Sequence, residues 1–307
     1  MNNSIIMVPY ANCKNMKGGV NINDNKRFDI YLKNCIISLL SAKEYNPDSD
    51  VAFVTNIELP EEHEKVLRNN NILIIKAEFS HFVFPNDYKW GLAFYKLCAL
   101  KYVVENYNYG FYSYLDSDVY IQSSFDNIFD ECKDNMLLYD INHGLQVRDY
   151  RLFLEDYHSF TGSGKNITHY GGEFFAASRE NAEIFISECH KIYSKMINEN
   201  FITSFGDEFI ISQVAEKQKA LVKNAGAYVY RFWTGDFHLV STCYKYNPIA
   251  VIHVPSEKTS GMVNLYNRYF RKGKFPTNEK VHSILGLKHM RLKLIFKLFI
   301  KRIIRRK

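Results

Sequence analysis

The sequence of 307 residues predicts a single α/β domain with a mostly parallel central sheet and helices packed on its faces. The main observation is that short apolar runs alternate along the chain with longer segments whose apolar residues recur at helical spacing. The composition, 47% hydrophobic and 15% aromatic, is that of a globular protein. No linker rich in Pro, Gly or Ser divides the chain, and it contains no internal repeat.

The first half of the chain carries the clearest alternation. Residues 4–10, SIIMVPY, form an apolar run that predicts a strand, and residues 27–42 have the apolar spacing of a helix. A second strand, 50–56, follows a turn-like Asn-Pro-Asp, and helix 60–70 carries acidic residues in its first turn. By the same criteria we predict a strand over 72–79, a helix over 93–107 and a strand over 110–118.

The second half is less regular but contains the same kinds of segment. The runs MLLYDI and AVIHV are apolar and short, as is the stretch that begins at Gly171. We therefore expect strands over 136–141, 171–175 and 250–254, and helices over 181–200 and 208–220.

Cysteine usage and the N-terminal segment bear on the compartment. The six cysteines are scattered without a CxxC pair, so neither a zinc ribbon nor a disulfide framework is expected. Residues 5–8 are the only apolar core near the N-terminus, and this core is shorter than that of a secretion signal. No apolar run approaches the ~20 residues of a membrane span. We therefore expect a cytoplasmic protein with reduced cysteines.

The net charge of +6 is concentrated in one segment. Residues 288–307 contain nine Lys or Arg and no acidic residue, which leaves 30 basic and 33 acidic residues in the rest of the chain. An acidic body argues against a nucleic-acid-binding surface.

The C-terminal segment, LKHMRLKLIFKLFIKRIIRRK, has the pattern of a basic amphipathic helix. Its apolar side chains at 292, 296, 299 and 303 share one helical face, and basic residues lie on the other side. Such helices bind anionic membrane surfaces; a nucleic-acid arm and a partner-binding helix are the alternatives, and the large aliphatic residues favour a membrane. We expect a globular domain at 1–282 and a membrane-associating tail at 283–307 that holds the protein on the inner face of the cell membrane.

Two aspartates one residue apart end the predicted strand 110–118. In YSYLDSDVYIQSS, Asp116 and Asp118 follow an aromatic run, at the edge where ligands gather in parallel sheets. Carboxylates so placed can bind one hard cation and leave positions for phosphate oxygens. The alternative is an ordinary turn, in which Asp is common because it forms local hydrogen bonds.

A glycine pair and an acidic pair are two further candidate features. Gly171 and Gly172 begin a predicted strand, which indicates close approach of a ligand to the backbone or a bulge. Asp207 and Glu208 open a predicted helix, where acidic residues stabilise the N-terminus even without a catalytic role.

Together these stretches resemble a known enzyme class. The DxD pattern resembles the metal site of nucleotide-sugar glycosyltransferases with the Rossmann-like GT-A fold. The aromatic–Gly–Gly–x–Phe–Phe–small–small–Ser run at 170–178 is followed after eleven residues by Cys189-His190, and Glu208 lies nineteen residues beyond Cys189. This arrangement is similar to that of the retaining family of the histo-blood-group A and B transferases and α-1,3-galactosyltransferase. The resemblance covers about residues 50–210.

The resemblance implies roles for individual residues. Glu208 aligns with the catalytic acid of the family, and Asp207 would then hold donor hydroxyls. Gly171 and Gly172 fall in the donor-binding region. The chain departs from the family where Gly206 replaces a His and Phe209-Ile210 replaces Ser-His, which puts acceptor recognition in doubt.

The last predicted strand offers two further candidates. Many metal-dependent sugar transferases complete their site with a His ligand and a Lys on the diphosphate, and His253 and Lys258 are placed to do so. The imidazole suits a transition metal such as manganese, and the ammonium suits phosphate. The following stretch 264–274, NLYNRYFRKGK, is predicted as a basic loop that closes over the donor or remains a solvated surface.

The sequence thus predicts a metal-dependent retaining hexosyltransferase of bacterial type. It would use Mn²⁺ or Mg²⁺ and move galactose or N-acetylgalactosamine from a UDP-sugar to a sugar hydroxyl of a lipid-linked glycan, in lipopolysaccharide, O-antigen or capsule assembly. One alternative is an inverting enzyme of the same fold with Asp207 or Glu208 as general base. The other is a non-enzymatic scaffold on the membrane surface.

Overall fold

The computed structural model describes residues 3–13, 24–85, 88–142, 144–236 and 249–304. The strands are β1 (Ser4–Tyr10), β2 (Asp50–Thr55), β3 (Ile72–Lys76), β4 (Phe111–Leu115), β5 (Val119–Ile121), β6 (Met136–Asp140), β7 (Tyr170–Ser178), β8 (Val222–Asn224), β9 (Val229–Arg231) and β10 (Val251–His253). The helices are α1 (Asp24–Tyr45), α2 (Glu61–Asn69), α3 (Tyr95–Asn106), α4 (Ile128–Glu131), α5 (Arg148–Thr161), α6 (Arg179–Asn198), α7 (Asp207–Lys217), α8 (Gly261–Lys272), α9 (Asn278–Ile284) and α10 (Leu292–Ile304).

Seven strands form the central sheet in the order β3-β2-β1-β4-β7-β6-β8. The pairs from β3 to β4 are parallel, as is β6 with β8, whereas β7 runs antiparallel to both of its neighbours. Three short strands form a second sheet in the order β5-β10-β9. The predicted α/β fold with a mostly parallel central sheet is therefore confirmed.

The sheet is buried on both faces, as its parallel strands require. In β1, Ile5 and Met7 join a core formed with α3, α5, α6 and α7, whereas Ile6 and Val8 point to a second core formed with α1, α8, α9 and the small sheet. Strand β7 divides its side chains in the same way, and Phe174 and Phe175 are both fully buried. The alternation explains why both faces of these strands carry mostly apolar side chains.

The element predictions were accurate in the first half and incomplete in the second. The predicted loop at 264–274 is wrong: these residues belong mostly to α8, which buries Met262, Leu265 and Tyr266 on one side and exposes its basic residues on the other. The predicted strand 72–79 ends earlier, at Lys76. Helices α4, α5 and α9 and strands β5, β8 and β9 were not predicted.

Packing of the globular body continues past residue 282. Leu285 and Leu287 are buried, and Arg291 forms an ion pair at 2.5 Å with the buried carboxylate of Glu257. Helix α10 follows directly, and its apolar residues are exposed, with Leu292 at 83% and Phe296 at 66%. Within the described ranges no helix combines the length and the hydropathy needed to cross a bilayer.

Candidate active site

The DxD segment connects the two sheets. Strand β4 ends at Leu115, and the Asp116 amide still donates a hydrogen bond of 2.9 Å to the Glu173 carbonyl on β7. Two residues later the carbonyl of Asp118 accepts a hydrogen bond of 3.0 Å from the Val254 amide, just beyond β10. Both backbones are therefore fixed, with the Asp118 side chain almost fully buried and that of Asp116 29% exposed.

His253 completes a cluster with the two aspartates. It ends β10, which pairs antiparallel with β5 and places the imidazole beside the DxD segment. Its Nε2 lies 3.1 Å from Asp118 Oδ2 and 3.9 Å from Asp116 Oδ2. One ligand atom from each of the three residues lies within 4.8 Å of the other two, and two carboxylates with one imidazole are a suitable donor set for a divalent cation. The cluster can therefore hold such a metal.

The Asp118 carboxylate is balanced by two cationic groups. Burial alone would raise its pKa, but the Lys258 ammonium in direct contact and the His253 ring hold the pKa of Asp118 well below its ordinary value. Burial lowers the pKa of His253, yet Asp118 and Glu173 overcome this effect and raise it to about 8. A metal ligand must be neutral imidazole, so metal binding at this residue releases a proton.

Glu173 orients the metal-facing histidine. This side chain on β7 is fully buried, and its Oε1 lies 3.2 Å from His253 Nδ1, the ring nitrogen that faces away from the aspartates. The same carboxylate accepts two hydrogen bonds from Arg231 at the end of β9, at 2.6 and 2.5 Å. Carboxylates behind a ligating histidine commonly fix its tautomer and ring orientation, and Glu173 has that position.

Arg231 extends the network to Glu208. Its Nη2 lies 2.9 Å from Glu208 Oε1, and His169 Nε2 lies 3.0 Å from Glu208 Oε2. The His169 ring in turn stacks on Phe153, with centroids 4.1 Å apart. Burial opposes ionisation of Glu208, but Arg231 and His169 lower its pKa to about 2. Glu208 is therefore an anion at neutral pH.

Lys96 links the DxD segment to Asp207. The ammonium lies near the start of α3, 3.0 Å from Asp116 Oδ1, 2.8 Å from Asp207 Oδ2 and 2.7 Å from the Gly172 carbonyl oxygen. Asp207 is buried at the start of α7, and burial raises the pKa of its carboxyl to about 6 against the opposing effect of Lys96. The two acids of the Asp-Glu pair thus belong to different ion pairs and differ in charge behaviour.

The glycine pair allows charged side chains to approach the backbone. A Cβ at Gly171 would overlap the Glu173 carboxylate, and one at Gly172 would overlap that of Asp207. The pairing of β6 with β7 is also irregular opposite these residues. The structure therefore contains the predicted bulge, and the close approach is made by the protein's own carboxylates.

Sequence reasoning missed four residues of this site: Lys96, His169, Glu173 and Arg231. Glu173 carried a usable signal, since it is the only charged residue in the otherwise uncharged strand YGGEFFAAS. A charged side chain needs a partner of opposite charge when it lies on a strand whose sheet is covered on both faces. Lys96 and Arg231 lie in segments that carried no comparable signal, because their partners come from distant parts of the chain.

Comparison with known proteins identifies the fold of the chain. No family model matches the chain, and no curated protein matches it. Among solved structures it is similar to the galactosyltransferase LgtC, solved in complex with donor and acceptor sugar analogs. The TM-score is 0.50 at 14% sequence identity, over 81% of this chain and 86% of that one. The chain has the GT-A fold. At this identity the likeness extends to the fold alone.

Removing the Glu173 charge should destabilise the protein strongly. In Glu173→Gln, Arg231 keeps its buried position without a full countercharge, and we expect the free energy of unfolding to fall by about 3 kcal/mol. Arg231 and His253 lower the pKa of Glu173 against the effect of burial. The difference in the free energy of unfolding between the parent protein and Glu173→Gln should therefore be largest above the unfolded pKa of about 4.3, and it should shrink as the pH falls below this value.

Urea unfolding between pH 3 and 8 measures this effect. Glu183→Gln is the matched control, since Glu183 is 54% exposed and pairs with Arg179 on the surface of α6. A surface pair of this kind contributes less than about 1 kcal/mol. Equal losses in the two variants would show that the Glu173 network is not a major source of stability.

Proposed function

We propose that this protein is a metal-dependent glycosyltransferase that moves a hexose from a UDP-sugar to a sugar hydroxyl. The observation that carries the proposal is the Asp116–Asp118–His253 cluster at the carboxyl end of β4 in a GT-A fold. A strand-end cluster of two carboxylates and an imidazole is costly to bury unless a cation occupies it or cationic side chains balance it. Its position matches the edge at which α/β sheets bind their ligands.

The donor would lie between this cluster and the acidic pair. A divalent cation, manganese or magnesium, would be held by Asp116, Asp118 and His253, and when bound it supplies positive charge that stabilises the departing diphosphate. Lys258 contacts the same Asp118 oxygen as His253, and we propose that its ammonium turns to a phosphate oxygen when the cation binds Asp118. Galactose and N-acetylgalactosamine are the sugars that the sequence resemblance favours.

The reaction is a substitution at the anomeric carbon. The acceptor hydroxyl oxygen forms the new bond to that carbon, the bond to the β-phosphate oxygen breaks, and UDP departs with the electron pair and accepts the hydroxyl proton. Positive charge develops on the sugar ring only in the transition state, where a nearby anion is most effective. We assign this role to Glu208, whose pKa Arg231 and His169 keep low enough for the carboxylate to remain ionised.

Asp207 has a different proposed role. It is buried beside Gly172 and paired with Lys96, which also contacts Asp116 of the metal cluster. We propose that Asp207 accepts hydrogen bonds from donor hydroxyls, and its contact with Lys96 beside the cluster supports this role. We propose that the anomeric configuration is retained, and product configuration distinguishes this from an inverting reaction in which Asp207 or Glu208 acts as general base.

The acceptor is proposed to be lipid-linked, as in bacterial lipopolysaccharide or capsule assembly. Support comes from α10, whose apolar side chains are exposed and whose Lys293, Lys297 and Lys301 are basic. Such a helix binds the interface of an anionic bilayer by burying its apolar face. The protein would then act peripherally on the cytoplasmic face of the membrane.

Asp118→Asn should abolish manganese-dependent UDP binding. The substitution removes a metal-facing charge, and we expect UDP affinity in the presence of Mn²⁺ to fall by at least about 100-fold. Isothermal titration with and without Mn²⁺ measures this, with Asp130→Asn as a surface control that is 77% exposed. Since Asp118 is buried, the more exposed Asp116→Asn provides a second test. Unchanged metal-dependent affinity in both variants would refute the proposed metal site.

Glu208→Gln should reduce kcat by at least about 100-fold with little change in UDP affinity, because it removes charge that acts in the transition state. Steady-state kinetics with a soluble acceptor measures kcat, and titration measures UDP affinity. The matched control is Glu216→Gln on the same helix, where Glu216 forms a long surface ion pair with Lys219. Asp207→Asn should instead weaken discrimination among UDP-sugars. A Glu208→Gln enzyme that turns over like the parent would exclude Glu208 from catalysis.

Truncation after Arg291 should separate membrane binding from folding. The cut keeps the buried Leu285 and Leu287 and the Arg291–Glu257 ion pair, so the melting temperature should change little. Each basic residue near an anionic surface contributes about 1 kcal/mol, so flotation with phosphatidylglycerol vesicles should be lost. Lys→Gln substitutions at 293, 297 and 301 should give a partial loss. Binding of the full chain that is equal on neutral and anionic vesicles would contradict the proposed role.

A further inference from the structure

A cleft of about 290 Å³ lies beside the elements that carry the ion pairs. The residues that line it form none of these ion pairs. Its lining combines aromatic, cationic, hydroxyl and aliphatic groups from two segments: Tyr88, Lys89, Trp90, Ile202, Thr203 and Ser204. None of these residues belongs to the metal cluster or to the catalytic pair. The cleft is therefore a separate feature whose occupant must be inferred from its position and chemistry.

The cleft lies next to the two elements that carry the Lys96–Asp207 ion pair. One wall ends at Trp90, where a 3₁₀ turn over Gly91–Phe94 leads into α3 and Lys96. The other wall ends at Ser204, two residues before Gly206, which precedes Asp207 and α7. Lys96 and Asp207 are 2.8 Å apart, and the second partner of Lys96 is Asp116 of the metal cluster. A molecule in the cleft would thus lie next to the two elements that carry Lys96 and Asp207.

The two walls are held together by direct contacts. Trp90 Nε1 donates a hydrogen bond of 2.7 Å to the Ser204 carbonyl, and the Tyr88 hydroxyl donates one of 2.8 Å to that of Thr203. The Trp90 ring packs on Gly206, whose φ is 61° and where an added Cβ would lie 3.1 Å from Trp90 Cβ. A glycine is required at this position by both conformation and space. The cleft is therefore preformed.

The lining groups suit an anionic sugar. Trp90 is half-buried and offers an apolar face, while Ile202 is 51% exposed and adds a second apolar surface. The Lys89 ammonium lies over the Trp90 ring, 4.9 Å from its centroid, so a sugar on this face would displace it toward the rim. The ammonium forms no ion pair with a carboxylate in the part of the chain that the structure describes. An aromatic platform with a polar rim is a common form of small-molecule site, and an exposed ammonium favours a carboxylate or phosphate group.

We propose that this cleft binds the acceptor, a sugar that carries a negative charge. The sugar ring would pack on Trp90, and its carboxylate or phosphate would contact Lys89. The inference rests on the proposed function, because it takes the bound sugar to be the acceptor of the transfer. The anionic binding property itself is testable without any turnover.

The test compares three probes on the full-length protein: methyl α-D-glucoside, methyl α-D-glucuronide and glucose 6-phosphate. Dissociation constants are measured by tryptophan fluorescence and saturation-transfer NMR, with and without UDP and Mn²⁺. We expect at least one anionic probe to bind about threefold to fivefold more tightly than the glucoside, as for an exposed charge pair. The two anionic probes distinguish a carboxylate from a phosphate.

Substitutions locate the binding. Lys89→Met should reduce the affinity for the anionic probes to that for the glucoside, whereas Lys65→Met, an exposed lysine on α2, should leave every affinity unchanged. Trp90→Ala should raise the dissociation constants of all three probes by about tenfold, the amount expected for a lost stacking surface. Because Trp90 packs on Gly206, Trp90→Phe is the second variant, and it should weaken binding less than Trp90→Ala.

Two results would overturn the proposal. The first is binding that is equally tight for neutral and anionic probes, or no binding of any probe. The second is a preference for the anionic probes that persists in Lys89→Met.

Failure of the proposed function gives a different pattern. In that case UDP would show no manganese-dependent binding while the anionic probes still bind in the cleft. The anionic site and the transferase activity can therefore be refuted separately.

Discussion

The structure depends on the pairing of buried carboxylates with cationic side chains. Asp118, Glu173 and Asp207 are each at most 4% exposed and lie within one site, together with the partly exposed Asp116 and Glu208. Ionised groups at such depth are stable only when each has a countercharge and hydrogen bonds. Lys96, Arg231, Lys258 and His253 supply these, and they come from α3, β9, the turn after β10 and β10 itself. The ion pairs therefore fix the relative positions of elements that are far apart in sequence.

This network also gives two adjacent acids different electrostatic environments. Asp207 and Glu208 are neighbours in sequence but have different partners, Lys96 for the first and Arg231 with His169 for the second. Burial dominates at Asp207 and raises its pKa, whereas these partners dominate at Glu208 and lower its pKa. One acid is thus more easily neutralised than the other. Differences of this kind between nearby carboxyls often separate a binding role from an electrostatic one.

The sequence predicted the sheet but only part of the site. Apolar periodicity was sufficient for β1 to β4, because parallel strands buried on both faces are apolar throughout. It failed at α8, where Asn264, Arg268 and Lys272 suggested a loop although the other side of the helix is buried. At the site, Asp116 and Asp118 were predicted from their spacing at a strand end and His253 from the resemblance to sugar transferases, and the three lie together in the structure. Arg231 could not be found in this way, since its importance arises only from the approach of Glu173 and Glu208 in space.

Glu257 connects the reaction centre to the C-terminal helix. Its buried carboxylate accepts hydrogen bonds from Thr234, Ser260 and the Gly261 amide and pairs with Arg291, one residue before α10, while the next residue in the chain is Lys258. Gly286, at φ 72°, turns the chain back toward this carboxylate. Helix α10 is therefore joined to the globular body through an ion pair with a buried carboxylate. If α10 lies on a bilayer as proposed, this connection would hold the candidate site at a constant height, so that the length of the glycan between lipid and reactive hydroxyl would become a criterion of substrate choice.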